Sequence, residues 1–129
     1  MSDIKNSKSI IGHKSYAFAL ESINLSKHIV SEKKEFILTE QLLRSGTSIG
    51  ANINEALSAE SKRDFIHKLG IALKEAKETS YWLNLLHDSG HIDQEAFITV
   101  NNLCVELIKI LSGIILTTKE KYLKPTQNS

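Results

Sequence analysis

The sequence predicts an all-α fold, an antiparallel up-down bundle of four helices. Apolar residues recur at helical spacings in four successive segments, and turn signals fall near residues 31–38, 58–61 and 89–93. No segment alternates with the period of a strand over a useful length. Short loops place consecutive helices antiparallel, so we predict one bundle domain over residues 1–125 and a disordered polar tail over residues 126–129.

The first predicted helix runs from roughly residue 10 to residue 31 and is amphipathic. Its predicted core side is lined by Ile11, Phe18, Leu25 and Ile29. Four more apolar residues are expected to widen that side, namely Tyr16, Leu20, Ile23 and Val30.

The second predicted helix runs from about Leu38 to Ser58 and has two lines of side chains. Its core line is Leu42, Ile49, Ile53 and Ala56. A polar line lies roughly 130° away and consists of Gln41, Arg44, Ser48, Asn52 and Glu55. Arg44 and Glu55 are about 16 Å apart along the axis, so each must find its partner on another helix. Gly46 and Gly50 lack side chains one turn apart, which predicts close approach of a neighbouring helix despite the cost in helix propensity.

The third and fourth predicted helices have recognisable ends. Ser61 and Asp64 form a capping-box pattern at the start of the third helix. Gly90 can take the left-handed conformation that closes this helix, and Asp93 can cap the fourth. Ile92 and Phe97 are placed as a hydrophobic staple across that cap. The predicted core residues are Phe65, Leu69, Ala72, Ala76, Leu83 and Leu86 on the third helix, and Phe97, Val100, Cys104, Leu107, Leu111 and Ile114 on the fourth.

Composition places the chain among soluble globular proteins. Hydrophobic residues make up 41% and charged residues 24% of the 129, and 16 basic against 15 acidic residues leave a formal net charge of +1. No net field therefore draws the chain strongly to nucleic acid or an anionic membrane, and any binding charge must be local. A single cysteine, Cys104, cannot form an intrachain disulfide, and the start lacks the apolar region of a signal peptide. No apolar run approaches the ~20 residues that span a bilayer, so we expect a cytoplasmic protein without a membrane partner.

The third and fourth helices carry more apolar surface than one core needs. On the fourth, apolar residues between Val100 and Ile115 sweep an arc of roughly 160°, against ~100° for an ordinary surface helix. On the third, a second line containing Trp82 turns away from the core, and a lone bundle is expected to leave this side chain in water. We therefore predict a homo-oligomer, with a wide-cored monomer as the alternative. The predicted oligomer interface consists of Arg44, Glu55, Ile71, Glu75, Glu78, Trp82 and Leu85.

The second and third helices also carry a family motif. Its residues are Gln41, Leu42, Arg44, Ser45, Ser48, Ile49, Asn52, Ile53, Glu55 and Ala56, followed by Ser61, Asp64 and Phe65. This pattern resembles the signature of the bacterial four-helix bundle family named for 23S rRNA intervening-sequence proteins, and it continues to Gly90-His91-Ile92. Ala56 is a departure, since many members have glycine there. The resemblance implies an antiparallel bundle that assembles into a ring, typically a homopentamer, in a family mostly without an assigned activity.

Enzymatic function is not expected, and no cofactor or catalytic residue is predicted. A di-iron bundle needs Glu-x-x-His pairs, which the sequence lacks, and Asp64 with His67 offers only one carboxylate and one imidazole. A helix break is expected between His87 and His91, which argues against a ligand pair. Cys104 has no charged neighbour on its own face that would lower its pKa, and burial would raise it. We therefore predict no metal site.

Basic residues of the third helix are the candidate nucleic-acid contacts, namely Lys62, Arg63, Lys68, Lys74 and Lys77. In a monomer, interleaved acidic residues favour an ordinary solvated face, whereas a ring would repeat a few lysines and concentrate their charge. The sequence thus favours a non-enzymatic, ring-forming binding scaffold with RNA or DNA as its partner.

The alternative is a protein-binding adaptor for a partner encoded nearby, such as a reverse transcriptase. It is implied by a related branch that resembles the accessory protein of diversity-generating retroelements, a basic pentameric barrel that binds nucleic acid and the reverse transcriptase. That branch is markedly more cationic than this chain.

Overall fold

A computed structural model describes the backbone of residues 2–123 and the side chains of Lys8 and residues 10–123. Within this part, the chain forms four α-helices and a short π-helix, which we call the π turn. They are α1 (Ser2–Lys33), α2 (Ile37–Leu57), α3 (Lys62–Asp88), α4 (Gln94–Thr118) and the π turn (Lys119–Leu123). The predicted polar tail at residues 126–129 lies outside the described residues.

The helices form the predicted all-α four-helix bundle. Each helix packs against two others, so that α1 contacts α2 and α4 while α3 contacts α2 and α4. The helices α1 and α2 are antiparallel, since Gly46 of α2 lies opposite Ser22 of α1, whereas Gly50, further along α2, lies opposite the earlier Ser15. The α1 helix begins earlier than the predicted residue 10, because residues 2–9 contain neither glycine nor proline to stop it.

The ends of α3 and α4 follow the predicted capping chemistry. The Ser61 Oγ accepts a hydrogen bond of 3.0 Å from the Asp64 N–H, and the Asp93 Oδ1 accepts one of 2.8 Å from the Ala96 N–H. The carboxyl of Asp64 makes no return bond to Ser61 in the described part of the chain, so the capping box is half formed. Gly90, with φ of 83°, closes α3 in a Schellman turn, in which the His91 N–H donates to the Leu86 carbonyl at 2.8 Å.

The start of α2 was not predicted at this level of detail. Lys34 has a φ of 55°, and this turn brings the Glu35 carboxylate over the first turn of α2. The Glu35 oxygens accept from the N–H groups of Leu38 at 3.2 Å and Thr39 at 2.9 Å. Desolvation alone would raise the pKa of Glu35, but these hydrogen bonds outweigh it and lower that pKa.

The α1–α2 contact is close because glycine faces serine. A Cβ on Gly46 would lie 2.4 Å from the Ser22 Oγ, and one on Gly50 would lie 3.3 Å from the Ser15 carbonyl oxygen. Both serines are buried. The close approach predicted for the two glycines is therefore confirmed, and α1 is the helix that approaches.

The predicted core is largely confirmed, with corrections on α1 and α4. The core line of α1, which includes Phe18 and Ile29, is buried together with the core lines of the other three helices, except that Phe97 of α4 is only partly buried. Tyr16 is 70% exposed and Leu20 48% exposed, so they do not widen the core as expected. They lie on the outer side of α1, because helical spacing places them well away from Phe18.

The α4 helix is more apolar than we expected. The segment Gln94–Leu123 is long and apolar enough to cross a membrane by length and composition. Its apolar stretch of 18 residues has a mean hydropathy of 1.6, and 28% of that stretch is buried. The expectation that no segment is long and apolar enough to span a bilayer was wrong, because Glu106 and Lys109 are the only charged residues between Glu95 and Lys119. Core helices of soluble proteins can have the same length and apolar composition, so composition alone does not indicate a membrane span.

Candidate binding surfaces

The first candidate surface is the outer side of α2 and α3, which we call the α2–α3 face. Its centre is Arg44, whose Nη1 lies 3.2 Å from the Glu75 Oε2 and whose Nη2 contacts the Glu78 Oε2. The Arg44 Nε also donates to the Gln41 Oε1 at 3.3 Å, and the Trp82 Nε1 donates to the Glu78 Oε2 at 3.1 Å. One arginine therefore joins the polar line of α2 to the acidic line of α3.

A second ion pair lies on the same face, between Glu55 and Lys68. The Lys68 Nζ is 3.0 Å from the Glu55 Oε1. This hydrogen bond is the main reason that the pKa of Lys68 is raised, and the charge of Glu55 adds to it. The prediction that Arg44 and Glu55 find partners on another helix is confirmed, and that helix is α3 of the same chain.

The α2–α3 face brings together the residues of the predicted oligomer interface. More of these side chains are partly buried within the single bundle than we expected. Ile71, Trp82 and Leu85 are partly buried, and Trp82 packs against the core cluster. The expectation that a lone bundle leaves Trp82 in water was therefore wrong, because the hydrogen bond to Glu78 holds the indole against α3. Whether a second copy binds this face remains a prediction.

A second candidate surface, the α1–α2 groove, was missed at the sequence level. It consists of two open cavities of about 410 Å³ and 400 Å³ between the outer sides of α1 and α2. Its larger apolar side chains are Tyr16, Ile23, Val30, Phe36, Leu43 and Leu57. The sequence did indicate that the apolar side of α1 is wider than usual, but we had assigned these extra apolar residues to the core.

One buried hydroxyl lines the α1–α2 groove without a partner. Ser26 is 4% exposed, and its Oγ has no hydrogen-bond partner among the described residues. Buried polar atoms are nearly always hydrogen-bonded in folded proteins. The groove therefore has an apolar wall with one unsatisfied polar atom.

The predicted nucleic-acid contacts do not form one surface. Lys68 is occupied by Glu55 on the α2–α3 face, and Lys77, nine residues later, points to the opposite side of α3 at about 100° per residue. The Lys62 Nζ lies 4.7 Å from the centroid of the Tyr122 ring. Arg63 and Lys74 are exposed. The set is split over at least two sides of the helix.

His87 and Cys104, two groups with catalytic potential, have partners within the bundle. No group of three or more histidine, cysteine, aspartate or glutamate side chains there is placed to hold a metal ion. His87 stacks on Phe97 with 4.3 Å between ring centroids. The Cys104 thiol donates to the Ala76 carbonyl at 3.1 Å, and desolvation raises its pKa to about 12.

Comparison with known proteins identifies the family. The sequence model of the 23S rRNA-intervening sequence protein family matches residues 7–113. The chain belongs to this family. A similar solved structure is that of a protein of unknown function from the S23 ribosomal protein family of Bacteroides thetaiotaomicron, which shares 50% sequence identity and a TM-score of 0.84. That match covers 85% of this chain and 98% of the other, while no curated protein matches the chain significantly.

The matched region of this 23S rRNA-intervening sequence protein includes both candidate surfaces. Arg44, Glu55 and Trp82 all fall within residues 7–113, as does the α1–α2 groove. The π turn, Lys119–Leu123, lies beyond it. Contacts made by the π turn are therefore features of this chain outside the region that carries the family match.

Proposed function

We propose that this 23S rRNA-intervening sequence protein is a non-enzymatic, self-associating helical bundle that acts as a binding scaffold, with RNA or DNA as its partner class. The observation that carries the proposal is the α1–α2 groove. It leaves Tyr16, Phe36 and Leu43 exposed along one side of the bundle. Exposed apolar side chains gathered on one side of a protein indicate a contact with another protein.

Two further observations support a second copy as the occupant. The buried Ser26 hydroxyl in the groove gains a partner when another chain covers it. The α4 helix presents a different set of exposed apolar side chains, including Leu103 and Leu116. Two unlike apolar surfaces on one subunit suit a head-to-tail contact, which closes into a ring when the rotation allows it. The family resemblance makes a pentamer the expected ring.

The nucleic-acid part of the proposal is supported by exposed cations that a ring would repeat. Arg63, Lys74 and Lys77 are exposed. Several copies of weak contacts give useful avidity when they reach one strand together. Contacts of this type are made to phosphates, so binding should be insensitive to sequence and should weaken steeply with salt.

The second candidate function is a protein-binding adaptor, for example for a reverse transcriptase encoded nearby. It is favoured by the apolar character of the α1–α2 groove, which suits a protein better than a polyanion. A salt titration of RNA and DNA binding separates the two functions. A lack of measurable affinity even at low salt would remove the nucleic-acid function and leave the adaptor.

The self-association is tested by the solution mass of the purified protein. We expect an oligomer that Leu43→Asp, in the groove, reduces to a monomer, while Lys77→Asp, an exposed position on the side of α3 opposite to the α2–α3 face, leaves the mass unchanged. Trp82→Ala tests the α2–α3 face in the same way. A monomeric mass for the unmodified protein at high micromolar concentration would refute the scaffold.

A further inference from the structure

Basic side chains gather at the end of the bundle where α1 and α3 begin and the π turn lies. The Lys8 Nζ is 4.5 Å from the centroid of the Phe65 ring, and the Lys62 Nζ is 4.7 Å from that of Tyr122. Two exposed basic residues stand beside Lys62 and Tyr122 in the sequence. We call this group the basic end, and it consists of Lys8, Lys62, Arg63 and Lys121.

Lys8 and Lys62 both lie at the first turn of α3, because the Phe65 ring that Lys8 contacts follows Lys62 by three residues. Partial burial lowers the pKa of Lys8, and the positive charge of Lys62 lowers it further. Contact with an aromatic ring holds each ammonium group in place and reduces its freedom to move away. Two cations held together in this way attract an oxyanion, because a bound negative charge removes their repulsion.

Three carboxylates lie near the basic end in the sequence. Asp64 follows Lys62 by two residues, but its charge acts on Lys68, whose pKa it helps to raise. Glu60 and Glu120 are exposed, within two residues of Lys62 and of Tyr122. The four basic side chains of the basic end outnumber these three carboxylates, so the net charge of this part of the surface is positive.

We propose that the basic end binds backbone phosphates of a nucleic-acid strand, with Lys8 and Lys62 as the principal contacts. The inference rests on the proposed nucleic-acid function and assigns it a place in the fold. This place differs from the sequence prediction, which missed Lys8 and included Lys68. The lining of the α1–α2 groove contains none of the basic-end residues, so phosphate binding and subunit contact do not compete.

The first test is binding of a labelled single-stranded RNA of about 20 nucleotides, followed by fluorescence anisotropy over a range of salt. Lys8→Gln with Lys62→Gln should weaken binding about tenfold and reduce the salt slope by about 1.4, since each lost phosphate contact on a single strand accounts for about 0.7. Lys8→Arg with Lys62→Arg keeps both charges and should bind like the unmodified protein. The matched control, Lys33→Gln with Lys34→Gln, removes the same charge from two exposed positions at the opposite end of the bundle, where α1 ends, and should change affinity less than about twofold.

The second test uses inorganic pyrophosphate alone and follows backbone amide shifts by NMR. Shifts should concentrate around Lys8, Lys62 and Arg63. If RNA does not bind but these shifts occur, the nucleic-acid function fails while the phosphate site stands with another phosphate source. Equal weakening by the two glutamine double variants, or pyrophosphate shifts spread over the lysines of α3, would overturn the basic end.

Discussion

The contact between Gly46 and Ser22 gives a stability prediction whose magnitude can be worked from the structure. An alanine Cβ at residue 46 would lie 2.4 Å from the Ser22 Oγ and 2.9 Å from the Ser22 Cβ. Ser22 is fully buried, and its Oγ donates a 2.9 Å hydrogen bond to the Phe18 carbonyl, so it has little room to move. Overpacking of this kind costs about 1–3 kcal/mol, while alanine regains up to about 1 kcal/mol of helix propensity. We expect Gly46→Ala to lower the free energy of unfolding by up to about 2 kcal/mol, the overpacking cost less the gain in helix propensity.

Urea unfolding at a fixed protomer concentration measures this change, because self-association would otherwise shift the midpoint. Gly70→Ala is the matched control, since a Cβ there meets nothing within 4 Å. It should stabilise the protein by up to about 1 kcal/mol. Ser22→Ala removes the nearer of the two clashing atoms, so it should relieve part of the Gly46→Ala penalty in a double-mutant cycle. Equal stability of Gly46→Ala and Gly70→Ala would show that the close approach of α1 and α2 does not constrain residue 46.

Two further predictions concern the helix cap at Asp93 and the thiol of Cys104. Asp93→Ala should lower the free energy of unfolding by about 1 kcal/mol, because it removes the side chain that accepts from the Ala96 N–H. Asp93→Asn should lower it by less, because asparagine can still accept this hydrogen bond. Equal urea midpoints for both variants would contradict this. The pKa of Cys104, raised to about 12 from 9.0, leaves the folded thiol neutral where the unfolded thiol ionises. Its contribution to stability is thus complete below pH 9 and is lost as pH rises toward 12. Cys104→Ser should reduce the loss of stability in that pH window, and an unchanged alkaline unfolding profile would contradict the assignment to this thiol.

The features of the fold that could be predicted are those with local causes. The start of α3 at Ser61 and the turn through Gly90 to Asp93 depend on residues within a few positions of each other, so their capping chemistry is visible in the sequence. The start of α2 was less clear, because its cap is the Glu35 carboxylate, which reaches the N–H groups of Leu38 and Thr39 from outside the helix.

The candidate surfaces were predictable only in part. Helical periodicity indicates which side chains of a helix face the core, but it does not indicate which other helix packs beside it. It indicated that Arg44 would pair with another helix, and Glu75 and Glu78 are its partners. It could not show that the outer sides of α1 and α2 would adjoin, so Tyr16 was assigned to the core. The basic end was also hidden, since Lys8 and Lys62 are far apart in the chain.

The pairing of helices around the bundle has a consequence for how the chain reaches its native state. Among the four α-helices in the described part of the chain, three of the four packed pairs join helices that follow one another in sequence, and the α1–α4 pair joins helices that are distant in the chain. Packing of two consecutive helices into a hairpin closes only a short loop and therefore costs little chain entropy. Low contact order is also associated with rapid folding. During folding, the packing of α4 against α1 is therefore the step that must bring together helices from distant parts of the chain.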